Sequence, residues 1–417
     1  MIQKIGVLLF VSISIFGAYS QITPDEDING RDGIRIISTA VPFLTISPDA
    51  RAGAMADVGV ATSPDAASIY WNPAKLAFIE AQDGTPLKMG ALISYTPWLR
   101  RLINDMSLNY LSGYMKLRKE DAIGLSMTYF DLGDITFRND QNQITGDFRP
   151  REFAFNFVYS RQLSKNLGVG IGARYIYSNL TGGAQLSNGT TTRPGNSIAA
   201  DVSVYYNKDL AGLASLAGLY KADVAFGAAI SNIGSKITYT NESQADFIPT
   251  NMRLGFAATG EIDPYNKITL AVDVNKLLVP SPPVYARDSN NAITNDIERG
   301  KDPDRGFLSG MFGSFSDAPD GFSEELKEFM VSVGAEYWYA NAFAARAGFF
   351  AENQLKGNRK YFTLGMGIRY NSFGVDFAYL VPVRQGNPLQ DTLRFALTFN
   401  IPDSDPKKAV DSIEDDQ

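Results

Sequence analysis

The amino-acid sequence predicts an all-β membrane protein, a 14-stranded antiparallel outer-membrane β-barrel with an amino-terminal plug segment. Three observations carry this prediction. Large apolar side chains alternate with small or polar ones in fourteen segments, each segment has about 9–13 residues, and the connections between them are alternately short and long. A tilted strand needs about 9–11 residues to cross a bilayer, whereas a typical soluble strand has about five or six.

The composition narrows the classes of function. The 417 residues include 38 basic and 45 acidic side chains, and the net charge of −7 disfavours a nucleic-acid partner held by phosphate contacts. The chain has no histidine and no cysteine. Ser-His-Asp and Cys-His catalysis, disulfides and the usual zinc, haem and iron–sulfur ligand sets are therefore excluded. We expect no nucleic-acid partner, no metal and no cofactor; the composition leaves carboxylate, lysine or tyrosine chemistry and a hard-cation site as alternatives.

Residues 1–20 predict a signal peptide. Lys4 supplies the positive charge, Ile5 to Ala18 form an apolar run, and small residues at Ala18 and Ser20 occupy the positions that a signal peptidase reads. We expect cleavage before Gln21 and export from the cytoplasm. The apolar run is too short to span a bilayer comfortably, and no later segment has 18 consecutive apolar residues. A helical membrane protein is therefore not expected.

Residues 21–88 precede the first predicted strand and are expected to form a plug inside the barrel. A stretch of mostly small residues at 50–61 would allow this segment to pack compactly against an inner wall. Residues 65–68 read as the start of a helix, and Trp71-Asn72-Pro73-Ala74 as a turn that ends it. The alternative is an ordinary helical linker.

Residues 89–401 are predicted to form the barrel. Tyrosine and tryptophan gather near the strand ends, as at Tyr95 and Trp98, where aromatic girdles lie on membrane barrels. The predicted strands are 89–98, 106–117, 121–131, 151–162, 167–179, 197–207, 221–232, 250–260, 268–276, 328–338, 342–351, 361–370, 373–382 and 393–401.

The lengths of the connections separate a membrane barrel from a secreted soluble β-protein, which would also alternate. If both termini are periplasmic, every second connection is a periplasmic turn, and all of these except 208–220 are tight. Outer-membrane barrels have short periplasmic turns and long outer loops. The sequence therefore predicts the cell outer membrane with both termini periplasmic. The predicted outer loops include 132–150, 180–196, 233–249 and 277–327.

Charged side chains within the strands fall on the parity opposite to the large apolar ones. An arginine facing lipid at the midplane would cost about 2–4 kcal/mol, so these residues should face the lumen and pair across it. A polar ligand or an ion path is the alternative. Gly168, Gly170 and Gly172 share the inward parity and should leave room for a segment packed on the wall. The charged residues are Arg174, Asp201, Arg253, Asp273, Glu336, Arg346, Arg369, Asp376 and Arg394.

The outer loop 277–327 is the connection on which function is expected to depend. Its length exceeds what a hairpin needs, and long loops are usually functional or disordered. We expect 280–285 to be extended, 288–304 to be polar and mobile, and 306–315 to be apolar and flexible. Five apolar residues should bury against the barrel rim or a partner, with disorder as the third alternative. They are Phe307, Leu308, Met311, Phe312 and Phe315.

Short motifs across most of the chain carry a resemblance to a known family. The stretch 47–55 contains Asp49, Arg51 and Gly53, and the stretch 70–75 contains Trp71, Asn72 and Pro73. Further matching motifs lie at 94–99, 110–114, 132–137, 230–234 and 248–255. Together they resemble FadL-like barrels and, more specifically, the PorV family of the Bacteroidetes type IX secretion system. The acidic tail, 402–417, departs from barrels that end on an aromatic strand, and its role is open.

The resemblance implies a non-enzymatic part in protein secretion. Proteins of this family associate with the type IX translocon barrel, receive cargo proteins through their C-terminal signal domain, and deliver them to the sortase-like cell-surface attachment complex. Outer-membrane lipids would surround the barrel. One alternative is a FadL-like transporter of hydrophobic small molecules, which predicts a continuous apolar cavity and a lateral opening. The other is a lipopolysaccharide deacylase, which would need a route without histidine.

Overall fold

The structure, a computed structural model, describes part of the chain. The described residues are 35–80, 86–103, 105–138, 142, 144–183, 191–240, 245–290, 292–384 and 387–402. The predicted signal peptide and nearly all of the acidic tail lie outside these residues. None of the helices in the part of the chain that the structure describes could span a bilayer.

Fourteen antiparallel strands close into one barrel, in which the first strand pairs with the last. The 14-stranded outer-membrane barrel predicted from the alternation is thereby confirmed. The strands in chain order are β1 Leu87–Pro97, β2 Ser107–Lys116, β3 Asp121–Asp131, β4 Ile135–Arg138, β5 Ile144–Phe148, β6 Arg151–Gln162, β7 Leu167–Asn179, β8 Gly195–Asp209, β9 Lys221–Gly234, β10 Asn251–Asp263, β11 Asn266–Leu277, β12 Val284–Arg287, β13 Ile293–Arg299, β14 Met330–Tyr339, β15 Phe343–Ala351, β16 Lys360–Tyr370, β17 Phe373–Pro382 and β18 Leu393–Pro402.

Four of these strands lie outside the barrel and form two hairpins in the loops, β4 with β5 and β12 with β13. The helices are short. They are α1 Ala50–Gly53, α2 Ser68–Trp71, α3 Ala211–Ala217, α4 Phe307–Gly313 and α5 Phe322–Glu325, and the 3-10 turns described are Pro42–Thr45, Pro73–Phe78 and Leu326–Glu328.

The two ends of the barrel differ in the length of their connections. We call one the short-turn end, where the connections between barrel strands are 117–120, 163–166, 210–220, 264–265, 340–342 and 371–372. The longest of these, 210–220, contains α3, which explains why it was the exception among the predicted turns. The other is the long-loop end, where both extra hairpins, α4 and α5 lie.

The strand alternation divides the wall into two faces. Large apolar side chains such as Ile93, Leu125 and Ile171 point outward and are exposed, as a lipid-facing surface requires. The nine charged residues predicted for the lumen are inward-facing and, except for the half-buried Arg369, fully buried. The predicted inward orientation of these charges is confirmed.

The described part of the amino-terminal segment crosses the lumen from end to end. At the long-loop end, the backbone N–H of Arg35 donates to the Leu355 carbonyl at 3.1 Å, and the ring of Phe43 stacks on Phe130 at a centroid distance of 6.3 Å. At the short-turn end, Phe78 packs against Gly168 at the start of β7. Arg35 therefore lies at the long-loop end, whereas β1 begins and β18 ends at the short-turn end. The alternation of the strands does not predict this path of the amino-terminal segment through the lumen.

The loop between β11 and β14 is more ordered than expected from its sequence. Residues 306–315 were predicted to be flexible, but Phe307–Gly313 form α4, and β13 occupies part of the polar stretch 288–304. Gly310 lies against Phe247 and Pro280, and Met311 is buried. The expectation of flexibility was wrong because these contacts come from distant parts of the chain.

Candidate functional site: the plug and the outer-loop platform

Residues 47–80, which we call the plug, begin with a helix cap. One carboxylate oxygen of Asp49 accepts the backbone N–H of Ala52 at 2.8 Å, which is the usual cap of a helix start. Its other oxygen accepts the indole N–H of Trp71 at 2.7 Å. Asp49 thus joins α1 to α2, two helices of one turn each that would not be stable alone.

Arg51 connects the plug to the barrel wall. Its guanidinium donates twice to Glu336 on β14, at 2.9 and 2.7 Å, and once to Asp65 at 2.8 Å. The side chain and carbonyl oxygens of Ser63 accept two more bonds, at 2.6 and 3.1 Å. The five N–H groups of this buried arginine are therefore all used. Glu336 also accepts from Arg346 at 2.6 Å, so the network continues along the wall.

Gly53 lies where an arginine of the wall passes the plug. A Cβ at Gly53 would lie 2.8 Å from Cδ of Arg394, closer than real Cβ contacts. Arg394 extends past this glycine and donates to Asp57 at 2.9 Å. The missing side chain at Gly53 therefore makes room for a second ion pair between plug and wall.

Asn72 and Pro73 turn the chain from α2 into the following 3-10 turn. The Asn72 amide donates to the carbonyl oxygens of Val60 and Val204, both at 3.0 Å, and its oxygen accepts the backbone N–H of Ala74 at 3.1 Å. Pro73 occupies a first-turn position, where the absent N–H costs nothing. The predicted turn at Trp71–Ala74 is confirmed.

The inward glycines of β7 receive this turn. A Cβ at Gly170 would lie 2.7 Å from the carbonyl carbon of Pro73, and one at Gly168 would lie 3.1 Å from the carbonyl oxygen of Ala74. These two glycines confirm the predicted room for a packed segment. Gly172 differs, because its nearest atoms belong to neighbouring strands.

Buried charges hold the middle of the plug. Nζ of Lys75 donates to the Gly59 carbonyl at 2.7 Å. The carboxylate of Asp273 on β11 accepts the backbone N–H groups of Gly59 and Val60 at 2.7 and 2.9 Å. The predicted pairing of lumen charges is therefore only partly between strands, because several partners belong to the plug.

A second cluster of buried charges, which we call the outer clasp, lies at the long-loop end. Lys276 at the end of β11 donates to Glu325 at 3.0 Å and also to Glu328. Lys356 donates to Glu324 at 2.7 Å and to Glu328 at 2.8 Å. Arg35 completes the clasp with two bonds to Glu324, at 2.8 and 2.7 Å.

The outer clasp joins three separate parts of the chain: the amino-terminal segment, the β11–β14 loop and the β15–β16 loop. Sequence reasoning missed it, although the acid-rich run Glu324–Glu328, which begins within α5, was a usable signal. Burial alone would raise the pKa of Glu324, but the hydrogen bonds from Arg35 and Lys356 lower it to about 2. The base of the longest loop is thus fixed by ion pairs.

The five apolar residues predicted to bind the barrel rim or a partner lie on α4 and just after it, and they differ in exposure. Met311 is 7% exposed and packs inward, as the rim-packing alternative requires. Leu308 and Phe312 lie one helical turn apart and are 50% and 71% exposed, and Phe315 is 44% exposed. Phe307 is 37% exposed. We call the surface of Leu308, Phe312 and Phe315 the apolar face of α4.

Comparison with solved structures finds barrels of low sequence identity. The Ralstonia pickettii toluene transporter TbuX is 13% identical, with 86% of this chain and 98% of that one covered and a TM-score of 0.44. A Pseudomonas aeruginosa FadL homologue is 10% identical, with coverages of 88% and 99% and a TM-score of 0.43. The Pseudomonas putida toluene transporter TodX is 11% identical, with coverages of 84% and 96% and a TM-score of 0.44.

Sequence comparisons identify a family for this chain. Comparison with curated protein sequences finds no match. The model of the family described as type IX secretion system protein PorV matches residues 29–284, which is more than half of the chain. The matched range contains the whole plug and the first nine strands of the barrel wall up to β11. The chain belongs to the PorV family of type IX secretion system outer-membrane proteins.

Proposed function

We propose that this protein is a non-enzymatic docking component of the type IX secretion system. It binds the translocon barrel and receives cargo proteins through their C-terminal signal domain, for delivery to the sortase-like attachment complex at the cell surface. The long-loop end faces the cell exterior, and the short turns and the end of β18 face the periplasm. Family membership supports a role in the type IX secretion system. The apolar face of α4, the outer clasp and the plug support docking.

The observation that carries the docking proposal is the apolar face of α4. Three large apolar side chains are exposed on a loop whose base is fixed by the buried ion pairs of the outer clasp. Exposed apolar side chains gathered on one surface mark interaction sites more often than scattered ones do. A fixed loop also loses little conformational entropy when a partner binds.

The plug supports docking over small-molecule transport. The transporter alternative requires a continuous apolar cavity, but in the described part of the chain the lumen is occupied by the plug and its ion pairs with the wall. The described wall is also a closed ring of paired strands. Both features favour a platform for proteins over a path for hydrocarbons.

A triple substitution tests the docking face. Leu308, Phe312 and Phe315 are each replaced by serine, and cargo secretion and heat-modifiable gel mobility are measured in cells. We expect normal mobility, because these side chains are exposed, and a loss of most cargo secretion. Met311→Ser is the matched comparison, because it disturbs buried packing. Normal secretion by the folded triple variant would overturn the docking proposal.

A further inference from the structure

The connection 210–220, which contains α3, differs from the other connections at the short-turn end. It is the longest of them, and none of its residues is charged. The turn 117–120 at the same end has three charged residues, and all of them are exposed. Charged residues stand directly on both sides of 210–220, at Asp209 and Lys221. A connection that enters water is expected to carry charge, so 210–220 has the composition of a segment with apolar surroundings.

The packing of Leu219 shows on which side of the wall this segment lies. In β10, Ala257 faces the lumen and is buried, whereas Phe256 points outward and is exposed. Gly260 has the parity of Phe256, so it also faces outward. A Cβ at Gly260 would lie 3.2 Å from Cδ1 of Leu219, and its other neighbour within 4 Å is Cδ2 of the same side chain. Leu219 therefore packs on the outer face of the barrel.

Ala222 on β9 gives independent evidence for this placement. It has the outward parity of Phe226, which is 51% exposed, yet Ala222 is only 7% exposed. Ala222 pairs with Gly260 in the register of β9 and β10. Since Leu219 lies over Gly260, the same segment covers both outward positions. The helix α3 contacts β9, and its Ala214 is 3% exposed, so one side of α3 is buried against the wall.

Hydrogen bonds hold both ends of the segment to the wall. The backbone N–H of Leu210 donates to the Ala222 carbonyl at 2.8 Å, and that of Tyr220 donates to the Glu261 carbonyl at 2.7 Å. Between them, Gly218 ends α3 with a φ of 68°, a left-handed conformation that glycine adopts without steric cost. The chain reverses there and returns to the wall. The helix α3 therefore lies beside the rim of the barrel in a fixed position.

The other side of the segment is apolar and exposed. Leu216 is 86% exposed, and Tyr220 is 60% exposed. This surface is continuous with the lipid-facing wall, because Gly260, which Leu219 covers, pairs with the outward and exposed Ile268 on β11. Tyrosine is enriched at the membrane boundary, where its ring lies in the apolar layer and its hydroxyl reaches water. The position and the composition of the segment therefore match the boundary of the bilayer.

We propose that residues 210–220 form a membrane foot, a segment that lies on the bilayer and inserts Leu216 and Tyr220 among the lipids of the leaflet at the short-turn end. The partner is lipid and not a protein, because the segment lies on the outer face of the wall and extends a surface that already contacts lipid. Interfacial anchors of this kind set the tilt and the depth of a membrane protein. The foot fixes the side of the barrel formed by β8, β9 and β10. The proposal does not depend on docking at the long-loop end.

The test uses a single spin label in the purified mature protein in phosphatidylcholine nanodiscs. The chain has no cysteine, so Leu216→Cys gives one labelling site. Electron paramagnetic resonance then measures collisions of the label with oxygen, which concentrates in lipid, and with a polar nickel chelate, which stays in water. We expect the ratio of oxygen to nickel collisions at position 216 to be at least about threefold above that at a turn in water, because the foot inserts below the headgroups.

Two control sites define the scale of this ratio. Lys119→Cys in the exposed turn 117–120 reports water at the same end of the barrel, and Leu125→Cys, 63% exposed on the outward face of β3, reports lipid. Heat-modifiable gel mobility checks that each variant is folded. Tyr220→Cys is measured in the same way and decides the question if Leu216→Cys does not fold. Any smaller difference from position 119 would overturn the membrane foot and leave its exposed face open to a protein partner.

Discussion

Arg51 shows how much a single side chain of this protein depends on distant parts of the chain. The motif around Arg51 marks this arginine as important. Its main partner, Glu336 on β14, is 285 positions further along the chain. No local pattern predicts which of nine inward charges an arginine of the plug will meet. The sequence therefore predicted the motif residues and the inward charges, and the structure supplies the pairing.

Replacing Arg51 by methionine, which has a similar length, should release the plug from β14. Removing one partner of a buried ion pair typically costs about 3–5 kcal/mol. Glu336 keeps its bond to Arg346, so we expect the lower part of that range. Urea unfolding followed by tryptophan fluorescence would report the change, because Trp71 lies in the plug.

Arg149→Met is the matched control for Arg51→Met. Arg149 pairs with Asp131 at 2.8 Å but is 54% exposed, and exposed ion pairs contribute little to stability. If the two substitutions shifted the urea midpoint equally, the link between Arg51 and the wall would not hold the plug.

Barrel strands could be predicted from sequence because a single physical demand fixes them. Each crosses the same membrane with lipid on one face and the lumen on the other, so the alternation persists, and all fourteen were placed within three residues of their ends. The loop elements were missed. Hairpin β12–β13 and helix α4 are too short for a clear period, and contacts with other loops stabilise them.

Gly170→Ala should displace the 3-10 turn Pro73–Phe78 from β7, because the new methyl group would meet plug backbone. Overpacking of this kind costs about 1–3 kcal/mol. The chain has no cysteine, so Ala77→Cys gives a single buried label site in the turn. We expect faster maleimide labelling at position 77 in the Gly170→Ala background.

Gly113→Ala is the matched control for Gly170→Ala. A Cβ at Gly113 would make only an ordinary contact, 3.5 Å from the Gly90 carbonyl oxygen. Labelling at position 77 should then match that of the parent protein. Unchanged labelling in the Gly170→Ala background would show that the turn does not pack as described.

The outer clasp should loosen in acid. The pKa of Glu324 is about 2 in the folded protein, below its ordinary value of 4.5. A depressed carboxyl pKa contributes stability that is present above about pH 4.5 and is lost as the pH falls towards 2. We expect cleavage within 278–329 by an acid protease, followed by mass spectrometry, to increase over this window. Glu324→Gln should remove much of that pH dependence, and an equal increase in this variant would contradict the assignment.

The whole molecule combines a wall built for the membrane with a lumen that is closed by its own chain. The plug crosses the barrel, and its buried charges pair with the wall. Such a protein should not conduct like a porin. In planar bilayers the intact mature protein should show no steady conductance, and steady porin-like currents would mean that the plug does not close the lumen.

We propose that the apolar face of α4 docks the secretion machinery at the cell surface. The most direct measurement places a photo-crosslinking amino acid at Phe312, 71% exposed, in living cells and identifies the products by mass spectrometry. The same amino acid at Leu216 in α3, 86% exposed at the short-turn end, is the control. We predict products of position 312 with the translocon barrel or with cargo C-terminal signal domains, and none of these from position 216. Protein products from position 216 alone, or only lipid products from position 312, would contradict the claim.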